Sequence, residues 1–447
     1  MSLVGCSSGD NITPPEDAMV DDGPPIDEPD ASVSVCTATG DPCATDDECC
    51  TGHCLDLNGT NIADQPVCVT DALASVYADF QTSLHKSPRG MRTFYEGTPE
   101  DPGMGTLSGK PYDELGCNSC HRAGSTPGTA KLANNTDVPV AQYEQSCIDC
   151  HADPLNPGPV PDQLCLGCHS RQNAEISLAA STNPAVAERF SDVHRTASTP
   201  MGCSDCHSAA QIHGDGVQRS SMLDWRTTRC ENCHVTGGQY GPLNMAIAEH
   251  ARHAGATGEL ACESCHVQTV TACYSCHFET EIGLDQKKYF GPPPLNGFVF
   301  LANDMRPGGG KVTTASFQAV THGTNAFAGF APYYSHTISR EGRVCSDCHD
   351  TATTQEYQAT GQLRITTWTP PASAGQAGSI AVRQGVIPIP RDWRTSFQWD
   401  FVGSSVLGPT LPDFTLFVDP NGADFQMLSR YLTPLTNQQM NRISNPH

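Results

Sequence analysis

The chain is short of the material from which an ordinary core is built. Only 38% of its 447 residues are hydrophobic and 7% aromatic, against 40 glycines and 34 prolines. It lacks any apolar run near the roughly 18 residues a membrane-spanning helix needs, so none is expected. Basic residues are scarce and absent from the start: none precedes Lys86, whereas 16 of the 49 acids do. From residue 86 onward 33 acids face 25 bases, and the formal net charge of the whole is −24. Such a balance excludes nucleic acid as a partner, because phosphates require a basic face; it reads instead as solubility. Cysteine is missing from residues 350–447, yet the chain contains 23 of them. That number is far too high for a reducing compartment unless the sulfur binds something.

The cysteines sort into three groups. Cys6 stands alone in "MSLVGCSS", where Leu-Val-Gly-Cys resembles a bacterial lipobox; the resemblance implies lipidation of Cys6 and anchoring to a membrane surface. Only five residues precede it, with no basic or apolar leader, which departs from that pattern. Residues 1–35 are otherwise acidic, Pro-rich and without aromatics, the composition of a disordered tether. Cys36, Cys43, Cys49, Cys50, Cys54 and Cys68 form the second group, a module over 36–70 with many turn formers. Six cysteines there predict a disulfide framework with fifteen conceivable pairings; the alternative, a zinc cluster, lacks the paired spacing zinc modules show. The order of these cysteines resembles small cystine-knot modules, which implies Cys36–Cys50, Cys43–Cys54 and Cys49–Cys68. His53, inside the module, reads as an exposed residue.

A helix-like run begins at residue 71. "GFVFLAND" and "KVTTASFQAV" flank "MRPGGG" and read as a β-hairpin. Strand-like stretches between Pro and Gly breaks, such as "QLRITTW", "SIAVRQGVIPIP" and "FTLFVD", follow residue 350.

The third group is a repeat. Cys-x-x-Cys-His occurs eight times, as Cys117, Cys120 and His121; Cys147, Cys150 and His151; Cys165, Cys168 and His169; Cys203, Cys206 and His207; Cys230, Cys233 and His234; Cys262, Cys265 and His266; Cys273, Cys276 and His277; and Cys345, Cys348 and His349. One copy could be a redox dithiol or half a zinc site. Eight copies exclude the dithiol, and zinc ribbons need no histidine after every second cysteine. The pattern is the signature of c-type haem attachment: two cysteines three apart reach the two vinyl groups, and the next histidine ligates the iron. By these motifs, which cover residues 117–349, the chain resembles multihaem c-type cytochromes, specifically an octahaem one.

Nine of the 17 histidines lie outside motifs. His85, His194, His213, His250, His253, His322 and His336 fall within the motif region and are the expected sixth ligands; terminal His447 is a weaker one. His250 and His253 lie three apart on one helical face, which suggests that only one of them ligates. Seven spare histidines for eight irons leave one site open, with Lys131 and Met201 as minor candidates. That shortfall raises an alternative. Octahaem enzymes acting on nitrite, hydroxylamine or tetrathionate, which the chain resembles in haem number, have one incompletely ligated haem.

The resemblance implies eight covalent haems and an architecture of short α-helices and irregular loops around stacked haems. A haem domain over 71–349 would be followed by a C-terminal segment, 350–447, whose short strands pack on it. It further implies a non-enzymatic electron carrier outside the cytoplasm, at the outer membrane, cell surface or periplasm. Its partners would be other redox proteins, extracellular electron acceptors or further copies of itself in a filament.

Overall fold

The computed structural model describes residues 36–58, 65–112, 129–131, 137–139, 145–234, 241–274, 295–373, 378–403, 415–418 and 425–445, apart from positions 88, 226, 243, 255–257, 307 and 323–324. Cys6 and its tether lie outside the described residues. So do all three ligands expected of the first motif, Cys117, Cys120 and His121, together with Cys276, His277 and His447 and the side chains of Lys131 and Cys273.

In the N-terminal module, β1 (Cys54–Leu55) pairs antiparallel with β2 (Val67–Cys68). Disulfides join Cys36 to Cys50, Cys43 to Cys54 and Cys49 to Cys68, the pairing implied by the cystine-knot resemblance. The sulfurs of Cys43, Cys49 and Cys54 lie within 4.8 Å of one another, but all three are spent in bridges and offer no thiolate to a metal. The module leans on the second motif, where the Cys147 amide donates to the Leu57 carbonyl at 3.2 Å. His53 is half-exposed and pairs with Asp71 at 3.1 Å.

Beyond the module, α1 (Asp71–Thr82) starts where the Thr70 hydroxyl accepts the Leu73 amide at 3.2 Å. Short helices then alternate with turns: α2 (Asp162–Cys168), α3 (Ser170–Ala179), α4 (Ala209–His213) and α5 (Ala248–His253). Few of their apolar side chains are buried.

The remainder corrects the expected architecture. β3 (Val270–Tyr274), β4 (Leu295–Asp304), β5 (Val312–His322), β6 (Asn325–Pro332), β7 (Gly385–Pro388), β8 (Phe425–Leu428) and β9 (Leu432–Thr433) form one mixed seven-stranded sheet. β4 and β5 are the hairpin read from the sequence, in antiparallel register from Phe300↔Ala315 to Asn303↔Val312. β7 and β8, which follow residue 350, pair parallel with β4 and β6. Strands from both sides of residue 349 thus belong to one sheet, so the C-terminal strands extend the sheet begun before residue 349. Phe300 and Phe330 meet edge-on at 5.1 Å, and Phe330 meets Trp393 at 5.3 Å, within a buried cluster that runs from Val267 to Met440. Low average hydrophobicity leaves little material for an ordinary core. The apolar residues are instead concentrated in this half.

The sheet's hydroxyls reach the motif region. Thr313 donates to Glu263 at 2.9 Å and Ser264 to the Val312 carbonyl at 2.7 Å, both holding the motif at 262–266. No described helix is long and apolar enough to cross a membrane.

Candidate functional site

Six motifs are described from first cysteine to histidine, and each folds as a single tight turn. In five of them the histidine amide donates to the carbonyl of the first cysteine, four residues back, at 2.9 Å for His151, 3.0 Å for His169 and His207, 2.9 Å for His234 and 2.8 Å for His349. One helical turn places residues i and i+3 on the same face, so both sulfurs point the same way and the histidine begins beside them. None of the twelve cysteines in these six motifs is in a disulfide. Cys206 and Cys345 are exposed and the other ten, Cys150 among them, are half-buried.

Two motifs depart from the common α-helical turn. In the second, the turn Cys147–Asp149 is a 3₁₀ helix and Cys150 caps it, its amide donating to the Cys147 carbonyl at 3.2 Å. The other second cysteines, such as Cys168 and Cys206, lie inside their α-helical turns. In the seventh, the backbone of Cys273 belongs to strand β3 and stands opposite Gln318 of β5.

Where aspartate precedes the second cysteine, its carboxylate closes the turn. Asp149 accepts the Ser146 amide at 2.8 Å, Asp205 the Gly202 amide at 2.7 Å and Asp347 the Val344 amide at 3.0 Å.

The six described motif histidines are matched one to one with histidines outside the motifs. Ring centres are 6.1 Å apart for His151 and His213, 6.2 Å for His169 and His85, 6.5 Å for His207 and His336, 6.3 Å for His234 and His194, 6.0 Å for His266 and His250, and 6.0 Å for His349 and His253. An imidazole nitrogen sits about 2.0–2.1 Å from a bound first-row metal, with the ring centre roughly 1.1 Å behind it, so two axial imidazoles on one iron would put their centres roughly 6 Å apart. All six separations meet that value, and two sulfurs stand beside each motif ring. The donor set and the spacing fit a haem. Histidines merely packed on one another have no reason to pair motif with non-motif every time.

The rings are held from behind. His85 directs Nδ1 to the Ile212 carbonyl at 3.2 Å, His250 to Asn244 at 3.0 Å, His266 to Ser339 at 2.9 Å and His349 to Arg442 at 3.0 Å. His207 meets the Gln211 side-chain oxygen and His194 a carboxylate oxygen of Asp192, both at 3.1 Å. A hydrogen bond at Nδ1 fixes the ring's tautomer and leaves Nε2 to the gap between the rings. Burial first, then the charge of His169, pushes His85 down to about 4, so it is a neutral ring at physiological pH.

Two buried carboxylates fasten the segment that carries His336. Glu175 on α3 accepts from the Ser335 hydroxyl at 2.8 Å, the Tyr333 hydroxyl at 3.0 Å and the His336 amide at 3.0 Å. Burial raises its carboxyl above the usual range despite these donors. Asp192 accepts the Ile338 amide at 3.0 Å and the His194 amide at 2.9 Å. For Asp192 burial is the largest influence and pushes upward, but the His194 and Ile338 hydrogen bonds outweigh it and hold the carboxyl low. The hydrogen bond from Asp192 raises His194 in return.

Neighbouring sites lie close enough to feel one another's charge. Burial raises Cys203 to about 12, aided by Asp162 and by Cys165 of the preceding motif. Cys206 is raised by burial and then by Cys233. A hydrogen bond with Cys230 is the main cause that raises Cys262, and Cys265 follows burial in raising Cys348 to about 12. His207 and His213 flank α4 yet serve different partners, and His85 feels His169, His213 and His207 together. These contacts string the six pairs in the order 151, 169, 207, 234, 266, 349 by motif histidine. An open cleft of about 380 Å³ beside Cys265, bordered by Arg343 and Asp347, leaves space where the last two meet.

His250 and His253 both find partners, one on His266 and the other on His349. Three residues along a helix separate side chains by about 4.5 Å of rise, enough to serve two adjacent sites. His194 and His213 precede or follow the motif at 203–207 in sequence, yet neither faces His207. Met201 has no vacancy to fill beside Cys203, since His336 faces His207; its amide donates to the His194 carbonyl at 2.9 Å. His322 ends β5, opposite Asn325 in the turn to β6. No pairing is described for the first motif, since Cys117, Cys120 and His121 lie outside the described residues.

Asp192 and Glu175 were missed because a single acid carries no pattern. The aspartate two residues before His194 in "SDVH" was the available signal. No protein-family model, no curated protein and no solved structure matches the chain.

Proposed function

We propose that the chain is an electron-carrying multihaem c-type cytochrome, loaded with eight covalent haems. The observation that carries this reading is the set of six motif histidines, each faced by a non-motif histidine at 6.0–6.5 Å between ring centres. The first and seventh motifs, with His121 and His277, enter the count of eight by their identical residue pattern. Iron in such a group supplies one-electron chemistry, with a potential set by its ligands and surroundings. The chain's part is to hold the groups close, exclude water and fix both axial rings. At each of the six described sites two imidazoles would hold the iron and leave no position for a substrate, so an octahaem reductase would need its open haem at the first or seventh motif. The disulfide module and the sulfur attachment chemistry both favour a compartment outside the cytoplasm. The contacts between successive motifs favour a relay between redox partners at its two ends.

Mass spectrometry and electron paramagnetic resonance of the purified protein test this. The expected result is a mass above the bare chain by eight haems, with low-spin ferric signals only. A colourless protein would sink the cytochrome; a high-spin signal with turnover of nitrite, hydroxylamine or tetrathionate would sink the carrier in favour of the enzyme.

A further inference from the structure

Resting on that reading, the surroundings of the six histidine pairs point to an uneven row. Six rings have their Nδ1 contact defined. Five meet neutral oxygens: the carbonyls of Ile212, Asn244, Ser339 and Arg442, and the Gln211 amide. His194 alone of these six meets a carboxylate at hydrogen-bond distance, Asp192 Oδ1 at 3.1 Å. Asp192 is 5% exposed. Its other oxygen accepts the Ile338 amide, so the carboxylate cannot swing away. The nearest cation in sequence, Arg195, is occupied by Asp162 at 3.1 Å. A second buried carboxylate, Glu175, has an oxygen 3.9 Å from Nδ1 of His336, too far for a hydrogen bond but adding negative charge at the adjoining pair.

We propose that Asp192 is a positioning residue that makes the His194–His234 site the low-potential point in the middle of the row. A carboxylate on the far nitrogen draws the Nδ1 proton toward itself and raises the basicity of the nitrogen facing the metal. A more basic ligand, together with buried negative charge, favours the ferric over the ferrous state. Neutral oxygens do neither to the same degree. Among the six described pairs, three lie on one side, at His151, His169 and His207, and two on the other, at His266 and His349. With haem bound, this site would be the hardest of the six to reduce.

Redox titration of the full-length protein, followed optically and by low-spin resonance signals, tests the proposal with Asp192→Asn. Changes to groups behind a metal-bound histidine commonly alter metal-site equilibria about 10–100-fold. The expected result is one component whose oxidation equilibrium weakens about tenfold, a rise of about 59 mV for one electron, with an altered resonance signal and the others unmoved. Asp192→Glu should restore the native value. All components unmoved, with haem content intact, overturns it. Should Asp192→Asn fail to fold, Gln211→Glu decides. That change places a carboxylate behind His207 and should lower the potential of a different component; no shift overturns the proposal. A wild-type chain without covalent haem is a separate failure, that of the cytochrome reading, and shows in the mass before any potential is measured.

Discussion

Residues 145–266 and the sheet built on 267–435 solve the folding problem in opposite ways. The sheet half buries large aromatic side chains against each other. Phe298, Phe300, Phe317, Phe330, Trp393 and Trp399 are all essentially inaccessible, and each edge-on pair adds about 0.5–1.5 kcal/mol beyond the area it buries. The motif half has short helices, many turns, and Ile148 and Phe190 as its buried large hydrophobics among the described residues. It gathers cysteine and histidine around spaces between its own segments. One half supplies its own interior, while the other, on the proposed reading, would be filled by haem.

Removing that haem should break the comparison most severely. Expressed without haem attachment, the chain is expected to lose its protection over residues 145–266 and be cut there by protease. The sheet, with a core of its own, should survive as a resistant fragment. Equal sensitivity of both halves would contradict the division.

The converse is the next largest effect. Phe330→Ala removes a fully buried ring that contacts Phe300, Trp393, Phe397 and Trp399. A loss of about 3–5 kcal/mol is expected in denaturant unfolding of the sheet. On the proposed reading, the haem absorption should stay unchanged in native buffer, since this ring packs on other aromatic rings of the sheet half. Breaking Cys49–Cys68 by Cys49→Ala should cost the small module about 2–5 kcal/mol. The effect should be confined to residues 36–68 and visible as faster proteolysis there.

The same contrast governs what could be read from the sequence. The motifs were legible because two sulfurs and a histidine within five residues act through one helical turn. The spare histidines were legible as a set, since haem-dense chains have few other uses for them. Their pairing was not. His253 and His349 are joined by the path of the whole sheet, and no local spacing encodes that. The hairpin of β4 and β5 was legible as strands, but how deeply it is buried was not. β5, "VTTASFQAVTH", is buried on both faces, so it lacks the alternation that marks a half-buried strand. Its threonines look like surface residues until Glu263 and the Tyr333 carbonyl are seen to accept from them. Composition averaged over the chain then diluted a dense core with a sparse half.

The smallest effect separates motifs that close their own turn from those that do not. Asp205 accepts the Gly202 amide at 2.7 Å, ahead of the turn carrying Cys203, Cys206 and His207. The corresponding residue in the motif at 230–234 is Asn232, whose amide group donates to the Thr227 carbonyl instead. Losing a side-chain acceptor at a helix start costs about 0.5–2 kcal/mol. On the proposed reading, Asp205→Ala should therefore leave haem content and global unfolding nearly unchanged, because haem bound through Cys203 and Cys206 would hold the turn from both sides. The penalty should appear locally, as hydrogen exchange at Gly202 faster by about fivefold for roughly 1 kcal/mol. Asp205→Asn, which keeps an accepting oxygen, should recover most of that protection. If Gly202 exchanges no faster in Asp205→Ala, the attached cofactor alone sets the turn and the aspartate contributes nothing to it.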